Sequence, residues 1–284
     1  MTLKTIRKIA SLRENLRSWR SFNETVALVP TMGNLHAGHI RLVEHARTLA
    51  DRVVVSIFVN PTQFGPGEDF AAYPRTLDGD RRQLTRANVD MLFAPPVDEI
   101  YPRGEEGGTV VSVPQLSRIL CGEFRPGHFD GVASVVTRLF NIVQPDCAVF
   151  GQKDYQQLLI IRQLQADLHL PVRVIAVPTA RDADGLALSS RNQYLDPAQR
   201  LLAPGLHRVL TDCAGLLRKG ERDFAALEEQ GLVGLRAGGF RPDYFAVRNA
   251  PELRVPGPAD RHLVVLAAAH LGRARLIDNV LVDL

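Results

Sequence analysis

No run of apolar residues in this chain approaches the roughly 20 needed to span a bilayer, so a membrane protein is not expected. Cysteine is scarce. Cys121, Cys147 and Cys213 stand far apart, and none belongs to a CxxC pair. That argues against a disulfide framework and a cysteine-rich zinc site, and it fits a reducing, cytoplasmic compartment. The N-terminal stretch has no apolar segment followed by a small-residue cleavage site, so no secretory leader is expected there. There is also no basic run. The net charge is +3 over 284 residues, which gives no reason to expect a nucleic-acid partner. A few Lys and Arg gathered at a phosphate site would account for so small an excess. Low-complexity tracts, internal repeats and a GxSxG nucleophile elbow are absent as well.

What remains is an ordinary globular composition, 45% hydrophobic and 23% charged, long enough for one large domain or two smaller ones. Leu3, Ile6, Ile9, Leu12, Leu16 and Trp19 recur at steps of three or four, predicting one amphipathic helix docked on a core. Short apolar runs at 25–29, 53–59, 91–93, 110–113, 147–150 and 172–177 are strand candidates. Helical spacing fills 40–49, 77–87, 132–143 and 157–168. The run at 53–59 is apolar at nearly every position, as a strand covered on both faces should be. Alternating strands and helices predict an α/β fold, a Rossmann-like, doubly wound parallel sheet with helices on both faces. Ligands then belong beyond the carboxyl ends of the strands.

The texture changes around 181–185. Asp196-Pro197 starts a helix running to about Leu217, and another helix spans 224–236. Strands at 244–247, 263–268 and 276–282 complete a smaller α+β unit. The expected domains are therefore 1–186 and 187–284.

Directly after the first expected Rossmann strand comes Pro30-Thr31-Met32-Gly33-Asn34-Leu35-His36-Ala37-Gly38-His39, leading into a helix. Glycines allow tight turning and close backbone approach, and a helix N-terminus offers free N–H groups. The Gly33 to Gly38 spacing is that of a Walker A loop, but His39-Ile40 stands where Lys and Ser/Thr belong, so a P-loop is rejected. His36 and His39, three apart, share one face of the opening turn and suit phosphate oxygens. Structural, exposed and metal-ligating histidines are the competing readings. Zinc wants at least three protein ligands, and no HExxH or nearby Cys supplies them.

His36-Ala37-Gly38-His39 resembles the HxGH signature of the nucleotidyltransferase superfamily. The wider string from Val29 to His36 resembles the pantothenate synthetase (pantoate–β-alanine ligase) family. Further blocks agree: Phe58-Val59-Asn60-Pro61-Thr62-Gln63-Phe64, Tyr73-Pro74-Arg75-Thr76, Arg125-Pro126-Gly127-His128-Phe129, Gly151-Gln152-Lys153-Asp154-Tyr155-Gln156-Gln157, and residues 184–192. The likeness runs in order from about residue 25 to 200 and continues weakly to 274–279. Gln152 stands where many relatives carry Glu.

The resemblance implies an ATP-dependent ligase that joins pantoate to β-alanine through a pantoyl adenylate, releasing AMP and pyrophosphate, in coenzyme A biosynthesis. It implies Mg²⁺, a homodimer, and a C-terminal domain that closes over the nucleotide. It assigns ATP to Met32, Gly33, Asn34, Leu35, His36, Ala37, Gly38 and His39, to Gly151, Gln152, Lys153 and Asp154, to the Ala180 backbone, and to Leu188, Ser189, Ser190 and Arg191. His36, His39, Lys153 and Arg191 become the catalytic groups, with His39 the proton donor. Gln63 and Gln157 bind pantoate; a neutral amide can orient a carboxylate and hydroxyls without neutralising the attacking oxygen. The metal ligands are unknown. Asp78 and Asp80 are read either as Mg²⁺ ligands or as first-turn helix acids. Arg125 and His128 are expected to close over the phosphates, and residues 61–67 to form a lid. Two other classes compete: a plain nucleotidyltransferase, whose acceptor site should be cationic, and a non-catalytic nucleotide sensor.

Overall fold

The computed structural model describes residues 3–68, 70–105 and 107–284. The chain packs as two compact units, Met1–Gln152 with Ile160–Pro178, and Lys153–Leu159 with Thr179–Leu284.

The first unit holds strands β1 (Lys4–Ile6), β2 (Val26–Thr31), β3 (Arg52–Ile57), β4 (Met91–Phe93), β5 (Cys147–Gly151) and β6 (Arg173–Val177). They form one sheet in the order β1-β4-β3-β2-β5-β6, with every pairing parallel. Val26, Ala27, Leu28 and Val29 are wholly buried, as are Val54 and Val55, so β2 and β3 carry side chains that favour cover on both faces. Helices α1 (Ile9–Ser21), α2 (Ala37–Ala46), α3 (Leu77–Arg86), three short turns α4 (Val97–Ile100), α5 (Pro114–Ser117) and α6 (Cys121–Phe124), and α7 (His128–Val143) supply that cover. Val43, Ala46 and Leu84 join Ala27, Val29, Val53, Val55, Leu92, Cys147 and Val149 in one apolar cluster. α7 packs on β2 and on α1. From β2 the sheet winds one way through β3 and β4 and the other way through β5, which makes β2 and β5 the switch point where such sheets bind ligands.

Several expectations are corrected. The apolar residues from Leu3 to Trp19 belong to two elements: β1 pairs Lys4 with Met91 and Ile6 with Phe93, and the helix begins only at Ile9. Residues 110–113 form no strand. Val111 N–H donates to Ser134 Oγ at 2.9 Å, and Val113 leads into the Pro114 helical turn. The helix after β2 begins at Ala37, three residues before the expected apolar period.

In the second unit the helix from Asp196 to Leu217 is broken. α9 (Pro197–Leu202) and α10 (Gly205–Arg218) are separated at Pro204, which lacks an N–H and clashes with the preceding turn. The expected start of α9 is present as a capping box: Gln199 N–H donates to Asp196 Oδ1 at 2.8 Å, and Asp196 N–H to Gln199 Oε1 at 3.2 Å. α8 (Tyr155–Asp167) begins in this unit. α11 (Phe224–Ala237) and α10 pack on the antiparallel meander β7 (Arg241–Asn249), β8 (His262–Leu271) and β9 (Ala274–Asp283). Their core gathers Leu206, Leu210, Leu217, Leu235, Phe245, Val265 and Leu276.

Candidate active site

The loop leaving β2 is held open by its neighbours. Gly33 and Asn34 take consecutive left-handed conformations, with φ of 83° and 49°. Thr31 Oγ1 donates to Ser56 O at 2.8 Å and accepts Gly33 N–H at 3.2 Å. Asp80, buried on α3, accepts Asn34 N–H at 3.0 Å, Leu35 N–H at 2.8 Å and the Thr76 hydroxyl at 3.2 Å. With Gly33 in a left-handed conformation, a Cβ there would lie 3.1 Å from the Asp80 carboxylate, so a larger residue would strain the backbone and press on the anchor.

His36 caps α2 rather than riding its first turn. Its Nδ1 accepts Gly38 N–H at 3.1 Å, and His39 Nδ1 accepts His36 N–H at 3.3 Å. The two rings lie 4.1 Å apart. Because both Nδ1 atoms accept backbone N–H groups, each neutral imidazole carries its proton on Nε2. Two N–H donors therefore stand at a helix N-terminus, where the positive end of the dipole already favours an anion.

The strand β3 runs into the 3-10 turn Pro61–Gln63. Gln63 is buried; its Nε2 lies 3.3 Å from Met32 Sδ and its Oε1 accepts from Asn60 at 3.1 Å. Met32 and Gln63 are thus brought together at adjacent strand ends. Asn60 also accepts the Tyr101 hydroxyl at 2.7 Å and donates to Gly131 O at 3.1 Å. A Cβ on Gly131 would come 2.3 Å from Thr62 O, so α7 and the turn meet only at a glycine.

Arg125 and His128 hold the segment that follows Gln63. Arg125 pairs with Glu68 through two hydrogen bonds of 2.6 Å and donates to His128 Nε2 at 3.0 Å. His128 Nδ1 donates to Gln63 O at 2.7 Å. Burial pushes Glu68 up, but the hydrogen bonds and charge of Arg125, with His128, outweigh it and hold the carboxyl below its ordinary value. This cation clamps the ends of the 63–68 segment.

Neither acid of α3 is arranged as a metal ligand. Both Asp80 oxygens are committed to the loop, and Asp78 is exposed, 3.8 Å from Arg81. Among the described residues no cluster of three His, Cys, Asp or Glu could hold an ion.

Gly151 ends β5, and Gln152 N–H donates to Val177 O at 2.8 Å. In the second unit Lys153 and Asp154 lie just before α8, whose first turn carries the half-buried Gln157. Lys153 Nζ lies 3.6 Å from Asp154, and its carbonyl accepts Asn279 Nδ2 at 2.9 Å. Residues 180–188 form a small hairpin: Arg181 pairs with Ala187, and Leu188 N–H donates to Ala180 O at 2.9 Å. Ser189 then caps the 3-10 turn Ser190–Tyr194, accepting Arg191 N–H at 3.2 Å. Sequence reasoning missed what holds this hairpin. Arg181 grips Asp278 at 2.6 and 2.8 Å, and His207 Nδ1 lies 3.4 Å from the same carboxylate. Burial pushes Asp278 up; His207 and Arg181 reverse this and hold it below its ordinary value. Nothing in the sequence flags a pair 97 residues apart.

The chain matches the family model for pantoate-beta-alanine ligase over residues 4–281. It is 57% identical to the pantothenate synthetase of Azotobacter vinelandii over 284 residues, covering 100% of this chain and 99% of that one. The pantothenate synthetase of Thioalkalivibrio sulfidiphilus is also 57% identical, over 99% of each chain. Among solved structures, pantothenate synthetase from Thermus thermophilus aligns with a TM-score of 0.91 at 47% identity, covering 98% of this chain and 99% of that one. Pantoate-beta-alanine ligase from Francisella tularensis, complexed with beta-gamma ATP and beta-alanine, aligns with a TM-score of 0.80 at 32% identity, covering 98% and 97%. The chain belongs to the pantoate–β-alanine ligase family, the pantothenate synthetases.

Proposed function

We propose that this ligase works in two half-reactions, with its residues in the roles that follow. A pantoate carboxylate oxygen attacks the α-phosphorus of Mg·ATP, forming pantoyl adenylate and expelling pyrophosphate. The amine of β-alanine then attacks the acyl carbon, the acyl–oxygen bond to AMP breaks, and the amine gives up a proton as pantothenate and AMP leave. No protein nucleophile takes part; catalysis is positioning and electrostatic stabilisation.

The observation that carries this reading is the paired capping at His36 and His39. It commits both Nδ1 atoms to backbone N–H groups and puts the ring protons on Nε2, at a helix N-terminus beside the β2–β5 switch point. Those donors suit charge growing on phosphate oxygens, with His39 as the proton donor. The loop from Met32 to Gly38, together with Gly151 and Gln152, lies against the nucleotide in the first unit. Lys153, Asp154, Ala180, Leu188, Ser189, Ser190 and Arg191 hold it in the second, with the cations on the triphosphate. Gln63 and Gln157 orient pantoate. Mg²⁺ arrives with ATP as part of the substrate, in keeping with an ion that favours phosphates and waters over all-protein cages. The enzyme acts as a cytoplasmic homodimer, and among the described residues no helix is long and apolar enough to cross a membrane. The lid narrows to residues 64–67, since Pro61–Gln63 is packed against α7.

The test is pantoate-dependent exchange of labelled pyrophosphate into ATP without β-alanine. Wild type should exchange only with pantoate, and Gln157→Ala should lose about tenfold or more, the effect of a lost substrate hydrogen bond. Folded wild type that never exchanges would remove the adenylate and favour a transferase or sensor.

A further inference from the structure

Two consecutive residues of β9 hold the segment that carries Lys153 and the hairpin that leads to Arg191. Asp278, 3% exposed, is gripped by both terminal nitrogens of Arg181 at 2.6 and 2.8 Å. Arg181 lies in the hairpin that leads into Ser189, Ser190 and Arg191, and it also donates to Gly185 O at 3.1 Å across the hairpin's own turn. Outside that turn, Arg200 of α9 pairs with Asp182 at 3.0 Å and Asp184 at 2.5 Å. The next residue, Asn279, donates its side-chain amide to Lys153 O at 2.9 Å.

A role confined to stability explains these choices poorly. A buried ion pair adds little net stability beyond what an apolar pair of the same shape would give, because desolvation offsets its attraction. What the bidentate fork does supply is direction, since two parallel hydrogen bonds fix the plane of the guanidinium. Asn279 spends its donor on the carbonyl of a loop residue that belongs to neither a strand nor a helix.

We infer that Asp278 and Asn279 are positioning residues for the nucleotide: Asp278, through Arg181, sets the hairpin that presents Ser189–Arg191, and Asn279 sets the backbone that presents Lys153. Neither touches substrate; both act through the groups they hold. The inference rests on the reading of Lys153 and residues 189–191 as ATP-binding.

The experiment uses full-length wild type, Asn279→Ala, Asn279→Ser and Asp278→Asn, with pyrophosphate exchange titrated separately in ATP and pantoate, and melting followed by circular dichroism. Asn279→Ala should raise the KM for ATP about tenfold while leaving the KM for pantoate and the melting temperature close to wild type. Asn279→Ser, which keeps a donor, should recover part of the loss. Asp278→Asn should act in the same direction, and if it fails to fold, the Asn279 pair decides. An Asn279→Ala enzyme whose KM for ATP stays within about twofold of wild type would overturn the inference, as would a parallel rise in both KM values. Wild type that does not exchange would sink the ligase reading instead. Equilibrium binding of ATP to wild type and Asn279→Ala would then decide the positioning role by the same tenfold criterion.

Discussion

Asp80 Oδ2 accepts the backbone N–H of Asn34 at 3.0 Å, joining residues 46 apart in sequence, and the other oxygen of the same carboxylate takes Leu35 N–H. The loop after β2 therefore owes its shape to a buried acid on α3 as much as to its own glycine. Asp80→Ala would remove the acceptor of the buried Leu35 N–H, at a cost of about 1–3 kcal/mol, and loosen the part-buried Asn34 N–H as well. The expected result is a clearly lower melting temperature and, in whatever folds, a KM for ATP raised more than that for pantoate. A variant with wild-type melting and kinetics would remove Asp80 as the anchor.

Gly131→Ala tests the contact between α7 and the turn that carries Gln63. The new methyl would meet Thr62 O at 2.3 Å, far inside contact distance, so the turn must shift. Overpacking of this kind costs about 1–3 kcal/mol. Because Gln63 lies on the displaced turn, the KM for pantoate should rise while the KM for ATP holds. An unchanged pantoate KM would mean that the turn does not set the amide.

The Glu68–Arg125 clamp makes a pH prediction. The folded carboxyl sits below its unfolded value of about 4.3, so the unfolded chain binds more protons as pH falls through that range. The clamp's stabilisation is fully present above the unfolded value and is lost as pH falls through the folded one. Glu68→Gln, which lacks the charge, should melt below wild type at neutral pH by an amount on the order of 1 kcal/mol. The two curves should converge as pH falls below the unfolded value of about 4.3 and through the folded one. A gap that stays constant with pH would show that Glu68 acts through packing alone.

The doubly wound sheet was legible because β2, β3 and β5 are apolar on both faces and alternate with helices. The three strands of the second unit were legible from their apolar runs, but their antiparallel pairing was not. What failed did so for identifiable reasons. β1 has three residues, too few for a period, and its identity as a strand depends on Met91–Phe93 far along the chain. Residues 110–113 have the composition of a strand but no partner strand; the hydrogen bond from Val111 goes to a side chain of α7. Among the candidate residues, His36, His39, Gln63, Lys153 and Arg191 could be singled out because each lies in a contiguous sequence motif. Asp80, Arg125 and the Arg181–Asp278 pair gain their meaning only from residues brought near by the fold. Asp80 read as a first-turn acid, and nothing local distinguishes an acid facing solvent from one turned inward onto a loop.

The hydrogen bond from Asn279 to Lys153 joins residues 126 apart. During synthesis, which delivers the chain from its N-terminus, the Rossmann sheet can assemble while β9 is still unmade. Every other site residue leaves the ribosome before Asn279 does. The nascent protein therefore passes through a stage with a formed sheet and a Lys153 loop that lacks its final tether. If Lys153 takes the nucleotide as proposed, capture at full strength waits for the meander's last strand.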